Sequence, residues 1–169
     1  MDAISWGFIG TVVGAIVGAT ASIVTTAITT WNTYKISENS KVQDREERAR
    51  SFQRETLLEL QIVMRNYMRA STLVYFADRK NFQESGEWGK YALPDELTEQ
   101  LLDLNSETSI LIQRISNDEL RNNLIELKDV VTKSQLANSE ITASQYHEAC
   151  VTLYENVNNE LGKILRCSY

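Results

Sequence analysis

The segment ISWGFIGTVVGAIVGATASIVTTAITTWNTY, from Ile4 to Tyr34, contains no Asp, Glu, Lys, Arg or His. No other feature constrains the fold of this chain as tightly, because a soluble domain of this size has no use for so long an apolar run. From Ile4 to Ile28 a helix rises about 37 Å, enough to cross a hydrocarbon core of about 30 Å with some tilt. Ten Ile, Val and Phe residues lie in that stretch. Together they favour insertion by roughly 3 to 6 kcal/mol, offset in part by Gly, Ser and Thr. Trp6 at one end, and Trp31 and Tyr34 at the other, stand where interfacial aromatic rings are expected. Residues 1–34 are therefore expected to form a transmembrane anchor.

The flanks set the expected orientation. No Lys or Arg precedes the span, whereas Lys35, Lys41, Arg45, Arg48, Arg50 and Arg54 follow it. The positive-inside rule then places the N-terminus outside and the following domain in the cytoplasm, in a single-pass inner-membrane arrangement. The competing reading is a signal peptide cleaved near Ala19-Thr20-Ala21. It lacks a basic leading region, and the apolar run continues well beyond that site.

The span is not uniform around its circumference. At 100° per residue Gly7, Gly10, Thr11, Gly14, Gly18, Ser22, Thr25 and Thr29 gather on one side, and Ile9, Val12, Val13, Ile16, Ile23, Val24 and Trp31 on the other. The overlapping Gly10-xxx-Gly14-xxx-Gly18 series permits close approach of a second backbone, and the hydroxyls can bond across a helix interface or face water in a lumen. A homo-oligomer is the expectation. Against it stands the ordinary abundance of Gly in membrane helices and the ability of Thr to bond its own preceding turn. A pore needs a wettable lining, and this face has no charge.

Beyond Gly18 neither Gly nor Pro occurs until Gly86, so the helix is expected to continue. Residues 35–48, in the segment KISENSKVQDREERARSFQR, carry both signs of charge and few apolar side chains, reading as a solvated helical stalk. From 49 to 169 helical periodicity predicts a cytosolic bundle. Its first helix carries Ala49, Phe52, Leu57, Leu60, Val63, Met64, Tyr67, Ala70 and Val74. A loop from Asp78 to Pro94 follows, which Trp88 and Tyr91 are expected to fold onto the bundle. The second helix, near Asp95 to Ile115, uses Leu97, Leu101, Leu104, Ile110, Leu111 and Ile115. Ser116 with Glu119 reads as a capping box opening the third, with Leu120, Leu124, Leu127 and Val131. After polar Lys133 to Glu140, Thr142 with Gln145 reads as another, before Tyr146, Cys150, Leu153, Val157, Leu161 and Leu165. The expected fold is all-α: an N-terminal transmembrane helix, a charged stalk and a four-helix bundle.

Composition excludes several classes. The 169 residues leave no room for a second soluble domain, and 17 Lys and Arg against 23 Asp and Glu give a net charge of −6. That balance disfavours specific nucleic-acid binding, whose affinity comes from cationic neutralisation of phosphates. Only Cys150 and Cys167 occur, so no disulfide framework is indicated. His147, the one histidine, precedes Cys150 by three residues on one helical face, but no oxyanion device or orienting acid is recognisable beside them. One His and two separated Cys do not make a zinc set, and no phosphate-binding or nucleophile-elbow motif occurs. No catalytic residue, metal or cofactor is expected, and the chain reads as a non-enzyme.

The order of anchor, charged stalk and helical domain, with FQRETLLELQ opening the domain, resembles many small bacterial membrane proteins. More distantly it resembles the membrane-pore accessory proteins of type VI-B CRISPR systems, in which one span precedes a cytosolic helical domain related to HEPN folds. That resemblance implies an oligomeric, membrane-permeabilising role in anti-phage defence. HEPN ribonucleases place an Arg four to six residues before a His, and no Arg stands at 140 to 142 ahead of His147, so the ribonuclease activity does not carry over. The alternative is a tethered adaptor whose bundle recruits a cytosolic protein partner. A reporter fused after Tyr169 is predicted to be active in the cytoplasm, and periplasmic activity would reverse the orientation assigned from the basic flank.

Overall fold

The structure is a computed structural model that describes the backbone of residues 3–167 and the side chains of residues 7–167. The Trp6 side chain and the chain end at Tyr169 lie outside the described residues. The fold is all-α: four helices, α1 Ala3–Ser85, α2 Asp95–Gln113, α3 Asp118–Gln135 and α4 Glu140–Cys167, with no strand among the described residues. Contacts divide the chain into two units between Arg48 and Ala49.

Helix α1 owes its length to the missing breakers between Gly18 and Gly86. Its N-terminal part is long and apolar enough to cross a membrane, and none of that apolar window is buried within the protein. Farther on, Asp44 precedes Arg48 and Glu46 precedes Arg50 at the i,i+4 spacing and in the order that supports an exposed helix. The helix does not stop at Asp78 as expected. Residues 78–85 contain neither Gly nor Pro, so the helix persists until Gly86 adopts φ 74° and donates its N–H to the Phe82 carbonyl at 2.8 Å. The loop is accordingly confined to 86–94. Trp88 ties it down by donating Nε1–H to the Ala137 carbonyl at 3.0 Å, whereas Tyr91 remains exposed.

In the second unit the inward stripe of α1, including Leu57, Leu60, Met64 and Tyr67, meets Leu104, Leu111 and Ile112 of α2 and all four apolar positions read for α3. Cys150, Val157 and Leu161 of α4 complete this core. Three positions depart from the periodic reading, the first of them Ala49, which is exposed. Phe52 is half exposed because it lines an open groove of about 440 Å³ with Leu57, Ile115 and Ile164. Ile110 is 53% exposed, since it lies roughly 160° round the helix from buried Thr108.

Both capping boxes are corrected. Asn117, not Ser116, caps α3 and accepts from the Leu120 N–H at 2.8 Å. The Ser116 N–H instead donates to Gln53 Oε1 at 2.9 Å, while Gln53 Nε2 donates to the Arg114 carbonyl at 2.8 Å. One α1 side chain thereby satisfies both sides of the α2–α3 turn. Ser139, not Thr142, caps α4, accepting the Thr142 N–H at 3.2 Å. The S/T-x-x-E/Q pattern misled because any Ser or Thr three residues before Glu or Gln satisfies it, and a better placed cap stood one residue later for α3 and three residues earlier for α4.

Polar ties fix the helices laterally. Asn123 on α3 donates to Glu160 on α4 at 2.8 Å, and Gln135 donates to Ser71 at 3.3 Å. Lys128 donates to the Asn105 carbonyl at 3.1 Å and to the Ser109 hydroxyl, and burial holds its pKa below the usual lysine value. Thr108 is wholly buried, and its hydroxyl has no partner among the described residues. Such a group loses its hydration without recompense. Thr108→Val is therefore predicted to leave stability unchanged or raise it, whereas Leu124→Ala, which opens a cavity in the core, should cost about 2 to 5 kcal/mol. Denaturant unfolding of the detergent-solubilised chain, followed by circular dichroism, measures both.

Candidate functional site

All eight small or hydroxylated positions singled out in the span lie on α1. Seven of them occupy an arc of about 80°, with Gly10 about 40° outside it. Every described side chain from Gly7 to Arg50 is exposed. A Cβ added at Gly7, Gly10, Gly14 or Gly18 meets nothing within 4 Å. No contact among the described residues therefore requires glycine at these positions, although a helix interior disfavours it by about 1 kcal/mol relative to Ala.

The hydroxyls on this face are largely satisfied by their own helix. Thr11 donates to the Gly7 carbonyl at 2.9 Å, Thr25 to Ala21 at 2.8 Å and Thr29 to Thr25 at 2.8 Å. Thr26 and Thr33 follow the same i−4 pattern just beside the face, as does Thr20 on the far side. This back-bonding hides a donor that would be costly in hydrocarbon, and it leaves each oxygen able only to accept. Among the described residues, Ser22 is the one hydroxyl of the face with its donor unused. The face is thus a row of bare backbone followed by self-satisfied hydroxyls, suited to close packing and only weakly wettable.

The bundle holds a second cluster. Tyr75 and His147 stack with ring centroids 4.2 Å apart and planes 8° from parallel, and Trp88 closes over Tyr75 at 6.3 Å. Phe76 and Phe82 meet this group edge-on or tilted. Tyr75 was missed in the sequence, although it continues the i,i+4 series Tyr67-Ser71-Tyr75 on the inward side of α1. The space enclosed by Ser71, Tyr75, Asp78, Gln135, His147 and Cys150 amounts to about 10 Å³, room for about one water.

Burial dominates the electrostatics of this cluster. It raises the Asp78 pKa and pushes the Cys150 thiol up to about 11. It also lowers His147, against which the Glu148 charge pulls upward. Tyr67 is pushed up to about 12 by burial and by the neighbouring Cys150. A nucleophilic thiol needs the opposite shift, and here burial favours the neutral thiol. Among the described residues no group of His, Cys, Asp and Glu side chains is arranged to hold a metal ion.

Comparison of the chain with protein-family models, curated proteins and solved structures gives no match.

The two thiols differ in a way that alkylation reads directly. At pH 8 iodoacetamide is predicted to label Cys167, which is exposed, and to spare Cys150 until the bundle is unfolded. The raised pKa of Cys150 means that the unfolded thiol ionises first. Its contribution to stability is intact below about pH 9 and is lost as the pH rises toward about 11. Equal labelling of both thiols in the native chain would show that the core around Cys150 opens readily.

Proposed function

We propose that this chain is a self-associating single-pass membrane protein, with residues 1–34 as its anchor and its helical bundle on the cytoplasmic side. The observation that carries this reading is the set of glycines on one exposed face of α1 that no contact among the described residues requires. In lipid, where apolar surface gains little by association, removing side chains lets two helices approach closely enough for dispersion and Cα–H contacts to hold them. Ser22 supplies the one spare donor for a carbonyl of the neighbouring helix. The basic residues that follow the span support the assigned orientation.

Membrane permeabilisation by the assembled spans is the activity that makes use of the hydroxyl row, since Thr11, Ser22, Thr25 and Thr29 would present oxygen atoms to a narrow lumen. The resemblance to CRISPR-associated pore accessory proteins adds a role in anti-phage defence to this proposal. The second reading, a tethered adaptor for a cytosolic protein, is favoured by exposed apolar side chains on the bundle such as Leu136 and Ile141. It predicts that any other hydrophobic span of equal length will serve.

Gly14→Leu tests the span interface. A Cβ added at Gly14 meets nothing within 4 Å, and leucine has the better helix propensity, so a loss of assembly with insertion intact points to a contact between chains. Oligomer mass in nanodiscs is expected to fall while membrane insertion persists, and Ile16→Leu on the opposite face should change neither. Unchanged mass in Gly14→Leu would overturn the glycine interface. Liposome conductance lost together with assembly would favour the pore, and an assembled, non-conducting wild type would favour the adaptor.

A further inference from the structure

The outer surface of the bundle carries a charge pattern that the core does not explain. In its second half α1 buries Leu57, Leu60, Met64 and Tyr67, and on a side centred about 160° away it exposes Leu58, Ile62, Arg65, Arg69, Leu73 and Phe76, the last also meeting the His147 ring edge-on. These outward positions recur at intervals of three and four residues, the spacing of a helix seam. Ile62 is 55% exposed and Phe76 51%, so the stripe is apolar at both ends and basic in the middle. Helix α2 lies alongside, antiparallel to this part of α1: Gln53 bonds the turn at its C-terminal end, and Asn66, Arg69, Leu73 and Gln100 line one groove. The outward face of α2 has the opposite sign. It carries Glu96, Glu99 and Asp103 and ends in exposed Ile110, and α2 contains no basic residue at all. Among the described residues neither Arg65 nor Arg69 forms an ion pair, and neither do Glu96, Glu99 and Asp103.

We infer that this surface is a docking face for a second copy of the same chain, in which the outward stripe of α1 packs on the acidic stripe of α2 of the other copy and the reverse contact forms at once. This deepens the self-association proposed above and rests on it, while adding an interface outside the membrane. Three observations favour a second copy over other occupants. The complementary halves lie on neighbouring, antiparallel helices of one chain, so a two-fold axis along those helices brings α1 against α2 twice, as an isologous contact requires. That arrangement also keeps the two α1 helices running in the same direction. Two helix faces of these lengths offer on the order of 700 Å² per copy, near the roughly 800 Å² that a standard interface contributes. An anionic lipid surface would attract Arg65 and Arg69 but repel Glu96, Glu99 and Asp103 beside them.

Charge reversal with rescue tests the pairing in the full-length chain. Arg65→Glu with Arg69→Glu is expected to weaken dimerisation in detergent or nanodiscs tenfold or more, and Glu99→Arg with Asp103→Arg to do the same. The four substitutions together restore the opposite charges across the interface and should recover most of the lost affinity. Dimerisation of the wild type should also weaken as salt rises from about 0.1 to 0.5 M. Arg65, Arg69, Glu99 and Asp103 are all exposed, and circular dichroism of each variant verifies the fold. Reversals without effect, or a quadruple variant no better than the doubles, would overturn the proposal; the second outcome is what a lipid-binding basic stripe gives. Each measurement is repeated with Gly14→Leu. If Gly14→Leu is inert while the reversals act and rescue, the span interface fails and the bundle interface stands. If Gly14→Leu abolishes assembly while the reversals are inert, the bundle interface fails and the span interface stands.

Discussion

A peptide group in hydrocarbon has no water to bond, so every N–H and C=O of a spanning segment must find its partner within that segment or a neighbouring one. In the spanning role proposed for α1, this requirement acts before any tertiary contact is made. The apolar part of α1 is rich in Thr, Ile and Val, which are mediocre helix formers in water, and the helix prevails because the alternatives leave polar groups bare. The same requirement disposes of the threonine hydroxyls, which return to the carbonyls of their own preceding turns. What remains on that face is an unshielded backbone at Gly10, Gly14 and Gly18, with open space around it.

The bundle obeys a different rule, gathering its apolar side chains inward. Its core is a contiguous cluster drawn from all four helices, and the buried side chains of α1, α3 and α4 fall at the positions a helical period selects. Side-chain amides then settle the joints: Gln53 clamps the α2–α3 turn and Asn123 links α3 to α4, while the Trp88 indole holds the 86–94 loop to the Ala137 carbonyl. The Tyr75–His147 stack belongs to this joinery. It sits beside a cavity too small for a ligand, with its titratable neighbours shifted by burial toward their neutral forms.

The two surfaces proposed for self-association draw on different forces. Between spans the contact is dispersion at close approach, insensitive to salt and sensitive to a single added side chain. Between bundles it is apolar contact with charge complementarity, screened by salt and reversible by exchanging signs. A membrane protein that uses both can assemble weakly through one and be committed by the other, and the different chemistry makes the contributions separable by mutation.

Helix type, helix number and most of the core were legible in the sequence, because a 3.6-residue period and the placement of Gly and Pro are local properties of the chain. The gathering of small residues on one side of α1 follows from the same period, and in the structure Thr11, Thr25 and Thr29 bond back to carbonyls of their own helix. What the sequence left open, or led astray, depended on competition between neighbours. Ser116 lost the α3 cap to Asn117, and its amide was taken by Gln53, more than sixty residues earlier in the chain. Helix α1 outran its expected end because no breaker stood between Asp78 and Gly86. Ile110 turned outward because the buried arc of α2 was centred on Thr108, a polar residue no hydrophobic pattern would mark. Tertiary structure decided the cap and the buried arc because each depends on which distant group arrives first at a bond or a patch of apolar surface, and spacing along one helix carries no record of that.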